Sequence, residues 1–358
     1  MGAYRDALLR EIDIINERYF NKKRGIEEPA DGLFYSPSFF INTVFLGGGT
    51  PTVMPASFFY ELFRALPPPA PDAEITVEAN SGETLWALRD CGVNRLSIGL
   101  QAWQGRLLAG LGRVHTQEDF MATYESARRA GFGNINVDLM YALPGQSMED
   151  WEETLDRVAA LGPEHISAYS LTPEVSTPLW RRIQSGETTL PDEETDRRMY
   201  HLCRERLAGF GYSHYEISNF AKPGRECKHN LVYWTRKPYI GVGLGASSFF
   251  RGRRWRNTND LDMYCANGFD FSGEEATELT HADAMAEAMF LGLRLIRGVD
   301  CAGFAHAYGA AIDDVYGKWI GRMEAEGLLE YGRANEALHL RLTAKGLDLY
   351  NYVAAGFL

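Results

Sequence analysis

Long apolar runs are missing from this 358-residue sequence, in which hydrophobic residues make up 45%, charged residues 23%, and mean hydropathy is -0.27. That excludes a bundle of membrane spans, and the same apolar share excludes a disordered chain. Positive charge is in short supply too, since 36 Lys and Arg against 48 Asp and Glu leave a net charge of -12. A chain whose main task is to neutralise nucleic-acid phosphates or anionic lipid is not composed this way, so neither is expected as a partner. Cysteine is sparse, at Cys91, Cys203, Cys227, Cys265 and Cys301, and no two are spaced as a C-x2-C clamp. Scattered thiols of odd number fit a reducing, cytoplasmic compartment. A signal peptide is not expected either, because Arg5, Asp6, Arg10, Glu11, Asp13, Glu17 and Arg18 interrupt the first twenty residues. Asp6 also stands where an N-myristoylation signal needs Ser or Thr.

What is present is a repeating pattern. Leu8, Ile12, Ile15 and Tyr19 recur at helical spacing, so the chain starts inside an amphipathic helix. Pro29 and Pro37 mark an irregular stretch after it. Strands are then read at Thr43 to Leu46, Glu74 to Ala79, Arg95 to Leu100, Asn134 to Tyr141 and His165 to Leu171. Helices are read between them at Ala56 to Leu66, Glu83 to Cys91, Glu118 to Ala130 and Met148 to Leu161. Strand and helix alternating at this spacing predict right-handed βαβ units and a parallel sheet, with its chemistry at the carboxyl ends of the strands. Pro67, Pro68, Pro69 and Pro71 read as a stiff spacer. A long helix is expected from about Asp192, leading to Tyr215 to Phe220 and then an aromatic, glycine-rich stretch, Tyr233 to Phe250. The last segment, 281–358, reads as three helices, two strands at Leu328 to Tyr331 and Leu338 to Leu342, and a helix at Thr343 to Ala354, the order of a winged helix. Its seven basic residues against ten acidic ones favour a packing module over a reader of DNA. The expected organisation is a barrel over 1–220, a barrel-closing segment over 221–280 and a small C-terminal domain over 281–358.

Two groups of residues stand out chemically. Gly47-Gly48-Gly49-Thr50 follows the first strand directly, and such a turn lets backbone approach a ligand or simply reverses the chain. Polar residues then mark strands that should be apolar: Glu78 and Asn80, then Arg95, Ser97 and Gln101, then Asp138, then Ser170 and Thr172, with Arg113 and His115 on a nearby loop. Singly, each reads as a structural partner; together, on different strands of a barrel, they converge on one mouth. The other group is His229-Asn230-Leu231-Val232-Tyr233-Trp234. A histidine among large aromatics can ligate a haem iron, although by itself it reads first as a hydrogen-bonded histidine beside an aromatic core. Arg251, Arg253, Arg254 and Arg256 suggest propionate or phosphate contacts, or a solvated face.

The strings GGGTPT (47–52), ITVEAN (75–80), NRLSIGLQ (94–101), LGRVHT (111–116), NINVDLMYALPGQ (134–146), HISAYSLT (165–172), YEISNFAKPG (215–224) and HNLVYW (229–234) occur in this order. They resemble the radical S-adenosylmethionine (SAM) family of oxygen-independent coproporphyrinogen III oxidases, and within it the HemW-type haem-chaperone branch. The resemblance runs the length of the chain. It implies an α/β fold, a partial TIM-like (β/α) barrel with a small winged-helix-like C-terminal domain. It also implies that Gly48, Gly49 and Thr50 hold the methionine end of SAM, with Glu78, Gln101, Arg113, Asp138 and Thr172 around the rest. The H-N-x-x-Y-W pattern, kept at His229, Asn230, Tyr233 and Trp234, marks the haem-binding branch and implies haem and haem-accepting proteins as partners, with His229 as iron ligand.

The sequence departs from that family twice. Members carry C-x3-C-x2-C after an initial strand, three thiolates that hold a 4Fe-4S cluster whose free iron binds SAM. That segment is not in this sequence, so the chain as written is expected to hold no cluster. A start site placed too far downstream, a fragment, and a cluster-less paralogue are the open explanations, and without the segment the strand at Thr43 is expected to be a sheet edge. The second departure is Ser247, where the haem-chaperone branch usually has histidine. Three functions remain open: a haem chaperone, an oxygen-independent coproporphyrinogen III oxidase that turns propionates into vinyls, and a cluster-less scaffold for protein contacts.

Overall fold

The computed structural model describes residues 2–20, 41–80, 82, 84–113, 115–267, 276–334 and 336–358. The stretch holding Pro29 and Pro37, and Glu83 at the predicted helix start, lie outside the described residues. Two compact units are formed, one from Phe45–Pro55 and Glu74–Cys227, the other from Met1–Val44, Ala56–Ala73 and Lys228–Leu358.

A curled, half-barrel sheet of seven strands carries the fold. Its strands are β1 Ile41–Leu46, β2 Pro69–Glu78, β3 Arg95–Gln101, β4 Ile135–Tyr141, β5 His165–Ser170, β6 Ser213–Glu216 and β7 Asn219–Ala221, in the order β1-β2-β3-β4-β5-β7-β6. All five strands read from the sequence are present, and β1 is an outer strand among the described residues. From β2 to β5 the neighbours are parallel, whereas β7 pairs antiparallel with both β5 and β6. The segment around Tyr215 to Phe220 is thus a hairpin that turns the sheet's last edge antiparallel, a reversal that a two-residue connection permits and a parallel crossover does not. β2 begins earlier than predicted, at Pro69, because proline's fixed φ suits extended backbone. Pro69, Pro71 and Asp72 are exposed there, and burial starts at Ala73.

Helices follow the strands where the alternation predicts them. Met148–Leu161 shows why its boundaries were legible: Ser147 and Asp150 form a reciprocal capping box, and Gly162, at φ 70°, ends the helix in the left-handed region. The predicted long helix is Glu193–Gly209, capped by Asp192.

Alternation along β3, β4 and β5 gives the sheet two unlike faces. Leu96, Ile98, Ile135, Val137, Leu139, Ile166 and Ala168 make one face wholly apolar and buried. Arg95, Ser97, Asn136, Asp138, His165 and Ser167 occupy the other. A polar face of this extent, on strands that also bury it, is where the chemistry sits.

In the other unit, Gly2–Ile15 buries Ala7, Leu8, Ile12 and Ile15, with Glu11 fully buried in the same stripe. The C-terminal segment follows the predicted order, with helices His281–Gly292, Cys301–Tyr308 and Ile312–Ala325 and a hairpin of Leu329–Ala334 with Ala337–Leu342. A short strand, Val299–Asp300, adds a third member to that hairpin, and the final helix is broken at Leu349. Among the described residues, no helix is long and apolar enough to cross a membrane.

Candidate functional site

The glycine turn after β1 is held by the end of β2. A Cβ at Gly47 would lie 2.7 Å from both Glu78 Oε1 and Phe45 Cε1, so only glycine fits there. Gly48 and Gly49 take φ of 86° and 84°, the left-handed region that side chains avoid, and a Cβ on either would meet nothing within 4 Å. The Gly48 N–H donates to Glu78 Oε2 at 3.2 Å, while Asn80 Nδ2 donates to Thr50 Oγ1 at 3.4 Å. Burial, aided by the nearby Asp138 charge, pushes the Glu78 carboxyl above the ordinary glutamate range.

Gln101 joins this group by a bulge. The β3–β4 register shifts between Gly99 and Gln101, and Gln101 adopts φ 72°, an unfavourable conformation for a residue with a Cβ. Its amide folds back over the strand, so that a Cβ at Gly99 would come 2.8 Å from Gln101 Nε2. Gly99 is therefore part of the site, and its glycine in a strand interior was the sequence signal. Arg113 and Thr172 are exposed. No hydrogen bond among the described residues brings either side chain to Glu78, Gln101 or Asp138.

Below Asp138 the polar face is tightly connected. Ser97 Oγ donates to Asp138 Oδ2 at 2.7 Å, and Asn136 Nδ2 donates to Asp138 Oδ1 at 2.9 Å and to Ser97 Oγ at 2.7 Å. Asn136 Oδ1 faces His165 Nδ1 at 2.6 Å and accepts from Ser167 Oγ at 3.1 Å. His165 Nε2 lies 2.9 Å from the Tyr215 hydroxyl, which also accepts the Cys227 N–H at 3.4 Å. Complete burial, and then the neighbouring Arg95 guanidinium, hold His165 well below the ordinary histidine range, so the ring is neutral. None of Asn136, His165, Ser167 or Tyr215 was singled out from the sequence as a site residue.

The second group stands on a short helix, Lys228–Trp234, that the sequence reading did not anticipate. Its signal was the four-residue spacing of His229 and Tyr233, which places both on one helix face. His229 is half-buried. Its Nδ1 is 2.9 Å from Thr43 Oγ1, and its Nε2 is 2.8 Å from the Tyr233 hydroxyl. The Tyr233 ring packs edge-on against His229 at 5.0 Å and against Tyr239 at 4.7 Å. Asn230 is half-buried one residue on, and the Trp234 ring is covered by the Arg294 guanidinium at 4.3 Å.

The arginine run is mostly committed to structure. Arg254 and Arg236 both pair with Glu287 and both lie 4.6 Å from the Phe249 ring centre; Arg253 pairs with Glu278, and Arg256 binds the Gly245 carbonyl and Asn259. Ser247 is exposed at the start of the strand Ser247–Phe250. None of the five cysteines is in a disulfide, and the described residues include no cluster of three or more His, Cys, Asp or Glu able to hold a metal ion.

Residues 16–158 match the Radical SAM superfamily, and residues 279–349 match the HemN C-terminal domain. The chain is 37% identical over 330 residues to the heme chaperone HemW of Bacillus subtilis, an alignment covering 89% of this chain and 86% of that protein. It is 38% identical over 315 residues to the mitochondrial radical S-adenosyl methionine domain-containing protein 1 of Mus musculus, covering 81% and 70% of the two chains. The structure of coproporphyrinogen III oxidase (HemN) from Escherichia coli superposes on 99% of this chain and 82% of its own, with a TM-score of 0.80. At 22% identity that likeness speaks for the fold alone. Identity of this level over most of both chains, with both domains in their expected places, leads to one assignment: this chain belongs to the HemW family of radical SAM proteins.

Proposed function

We propose that the protein is a haem chaperone, binding haem and passing it to acceptor proteins in the cytoplasm, with SAM held at the half-barrel. The observation that carries this reading is the His229 imidazole, half-buried on a helix and anchored through Nδ1 to Thr43. A hydrogen bond at one ring nitrogen orients a histidine so that the other can ligate iron. Here the other is Nε2, now 2.8 Å from the Tyr233 hydroxyl, which iron would have to displace. Tyr233 and Tyr239 then supply aromatic wall beside the macrocycle. Asn230 and Trp234 complete the family pattern on the same helix.

The glycine turn and its surroundings fit SAM. Gly48 and Gly49 leave open space where any other residue would place a side chain, which lets the methionyl end lie against backbone. SAM carries positive charge at its sulfonium and amine, and the neighbouring Glu78 and Asp138 carboxylates complement it. Asp138 has acceptor capacity left for ribose hydroxyls, the pairing by which acidic residues hold nucleoside riboses elsewhere. Gln101 belongs to the same group, whereas Arg113 and Thr172 are exposed. For a 4Fe-4S cluster the residues do not fit, since the five cysteines are scattered and none has C-x3-C-x2-C spacing. Such a cluster, when bound, supplies one-electron cleavage of SAM to a 5′-deoxyadenosyl radical.

Haem titration followed at the Soret band compares the wild type with His229→Ala. The variant is expected to bind at least tenfold more weakly and to lose the spectrum of an imidazole-ligated iron. Equal affinity and an unchanged spectrum would overturn the assignment of His229.

A further inference from the structure

We infer that Asn136 and His165 are positioning residues for the nucleoside end of the cofactor: they hold the Asp138 carboxylate in one orientation from beneath, so that its free lone pairs face the ligand. The inference rests on the reading of Asp138 as a SAM-binding residue.

Chemistry fixes the direction of every hydrogen bond in the network. A carboxylate oxygen accepts, so the Asn136 group 2.9 Å from Asp138 Oδ1 is its amide nitrogen. The Asn136 carbonyl oxygen must then face the other way, toward His165 Nδ1 and Ser167 Oγ. An amide oxygen only accepts, so the proton of the neutral imidazole is on Nδ1. Nε2 is left bare, and accepts from the Tyr215 hydroxyl. Asn136 thereby uses both donors and two acceptor sites, and neither it nor His165 can flip without orphaning a buried group.

The consequence falls on Asp138. Each of its oxygens accepts one bond from below, Oδ1 from Asn136 and Oδ2 from Ser97. Each keeps a further lone pair able to accept from a ligand. A vicinal diol presents two neighbouring hydroxyl donors, one for each oxygen. Asn136, Ser97 and Ser167 are almost fully buried and His165 is completely so, while Asp138 is half-buried. The supporting groups are all but removed from solvent, yet the residue they support is partly exposed to it. A polar network built only to stabilise the sheet would gain nothing by leaving one member exposed.

The test measures binding of S-adenosylhomocysteine and of its 2′,3′-dideoxyribose analogue by calorimetry. The ratio of the two affinities reports the diol contact and does not depend on the fraction of each sample that is folded. In the wild type the ratio should favour the diol strongly. In His165→Leu and Asn136→Leu it should fall about tenfold, the loss of one well-placed charge-assisted hydrogen bond. His165→Asn, whose amide can still donate to Asn136, should recover most of it. Asp138→Ala separates the two readings. If Asp138→Ala leaves S-adenosylhomocysteine affinity unchanged, the SAM reading of Asp138 fails. If Asp138→Ala collapses the ratio but both leucine variants keep the wild-type value, Asp138 binds the ribose unaided and the positioning role is overturned.

Discussion

Glu78 shows how much one side chain does at this site. It receives the Gly48 N–H, it excludes any Cβ from Gly47, and it shares its surroundings with Asp138. Burial and that second carboxylate raise its pKa, so it takes up a proton at a higher pH than a free glutamate, whose value is 4.5. A cationic ligand favours the ionised form. Affinity for S-adenosylhomocysteine, with its charged amine, should therefore fall as pH drops from about 7.5, and should begin to fall before an ordinary glutamate titrates. Glu78→Gln should bind weakly and lose that dependence. Calorimetric titration across the range checks it, and a wild-type affinity flat to about pH 5 would contradict the role given to Glu78. Glu78, Gln101 and Asp138 were legible in the sequence because each breaks an apolar strand pattern. Asn136 and His165 break the same pattern and were still passed over, because what distinguishes them is a hydrogen-bond network across β3, β4, β5 and β6, which no local pattern records.

At the scale of elements, the first helix carries a similar exception. Glu11 lies in the buried stripe with Leu8, Ile12 and Ile15, and helical periodicity alone would have placed a hydrophobic residue there. It accepts the Gly243 N–H at 2.7 Å, Asn257 Nδ2 at 2.6 Å and the Tyr264 hydroxyl at 2.6 Å, tying the helix to segments more than 230 residues away in sequence. Burial raises the pKa of its carboxyl despite those three donors. Because the folded value lies above the unfolded one, the stability it contributes is fully present below about pH 4.5 and is lost as pH rises through the raised value. Urea unfolding should show this component in the wild type and not in Glu11→Gln. Glu11→Ala leaves the three donors unmatched and should cost about 3 kcal/mol. Strands β1 to β5 needed no such long-range knowledge, since alternation, glycine turns and caps such as Ser147 are written locally. The helix Lys228–Trp234 was missed for the opposite reason: seven residues, two turns at most, give too short a period to distinguish from a loop.

The molecule as a whole is interleaved. The division between its compact units passes through β1, between Val44 and Phe45, and through β2, between Ala73 and Glu74, and it recurs at Cys227. The first helix and the C-terminal helices therefore belong to one unit, which the order of motifs along the chain does not reveal. Within that unit, Glu287 is the counter-charge for both Arg236 and Arg254, and the side chains of Glu287 and Arg236 are only 12% and 14% exposed. Removing a shared, largely buried partner leaves two uncompensated cations, at a cost of about 3 to 5 kcal/mol. Glu287 and the helix proposed to hold haem lie in this unit, while the residues proposed to hold SAM lie in the other. Scanning calorimetry of Glu287→Ala should accordingly lower the transition that haem raises, and leave in place the rise that S-adenosylhomocysteine produces. If a single transition responds to both ligands and to the substitution equally, the two units unfold as one, and a change confined to Glu287 would weaken both sites together.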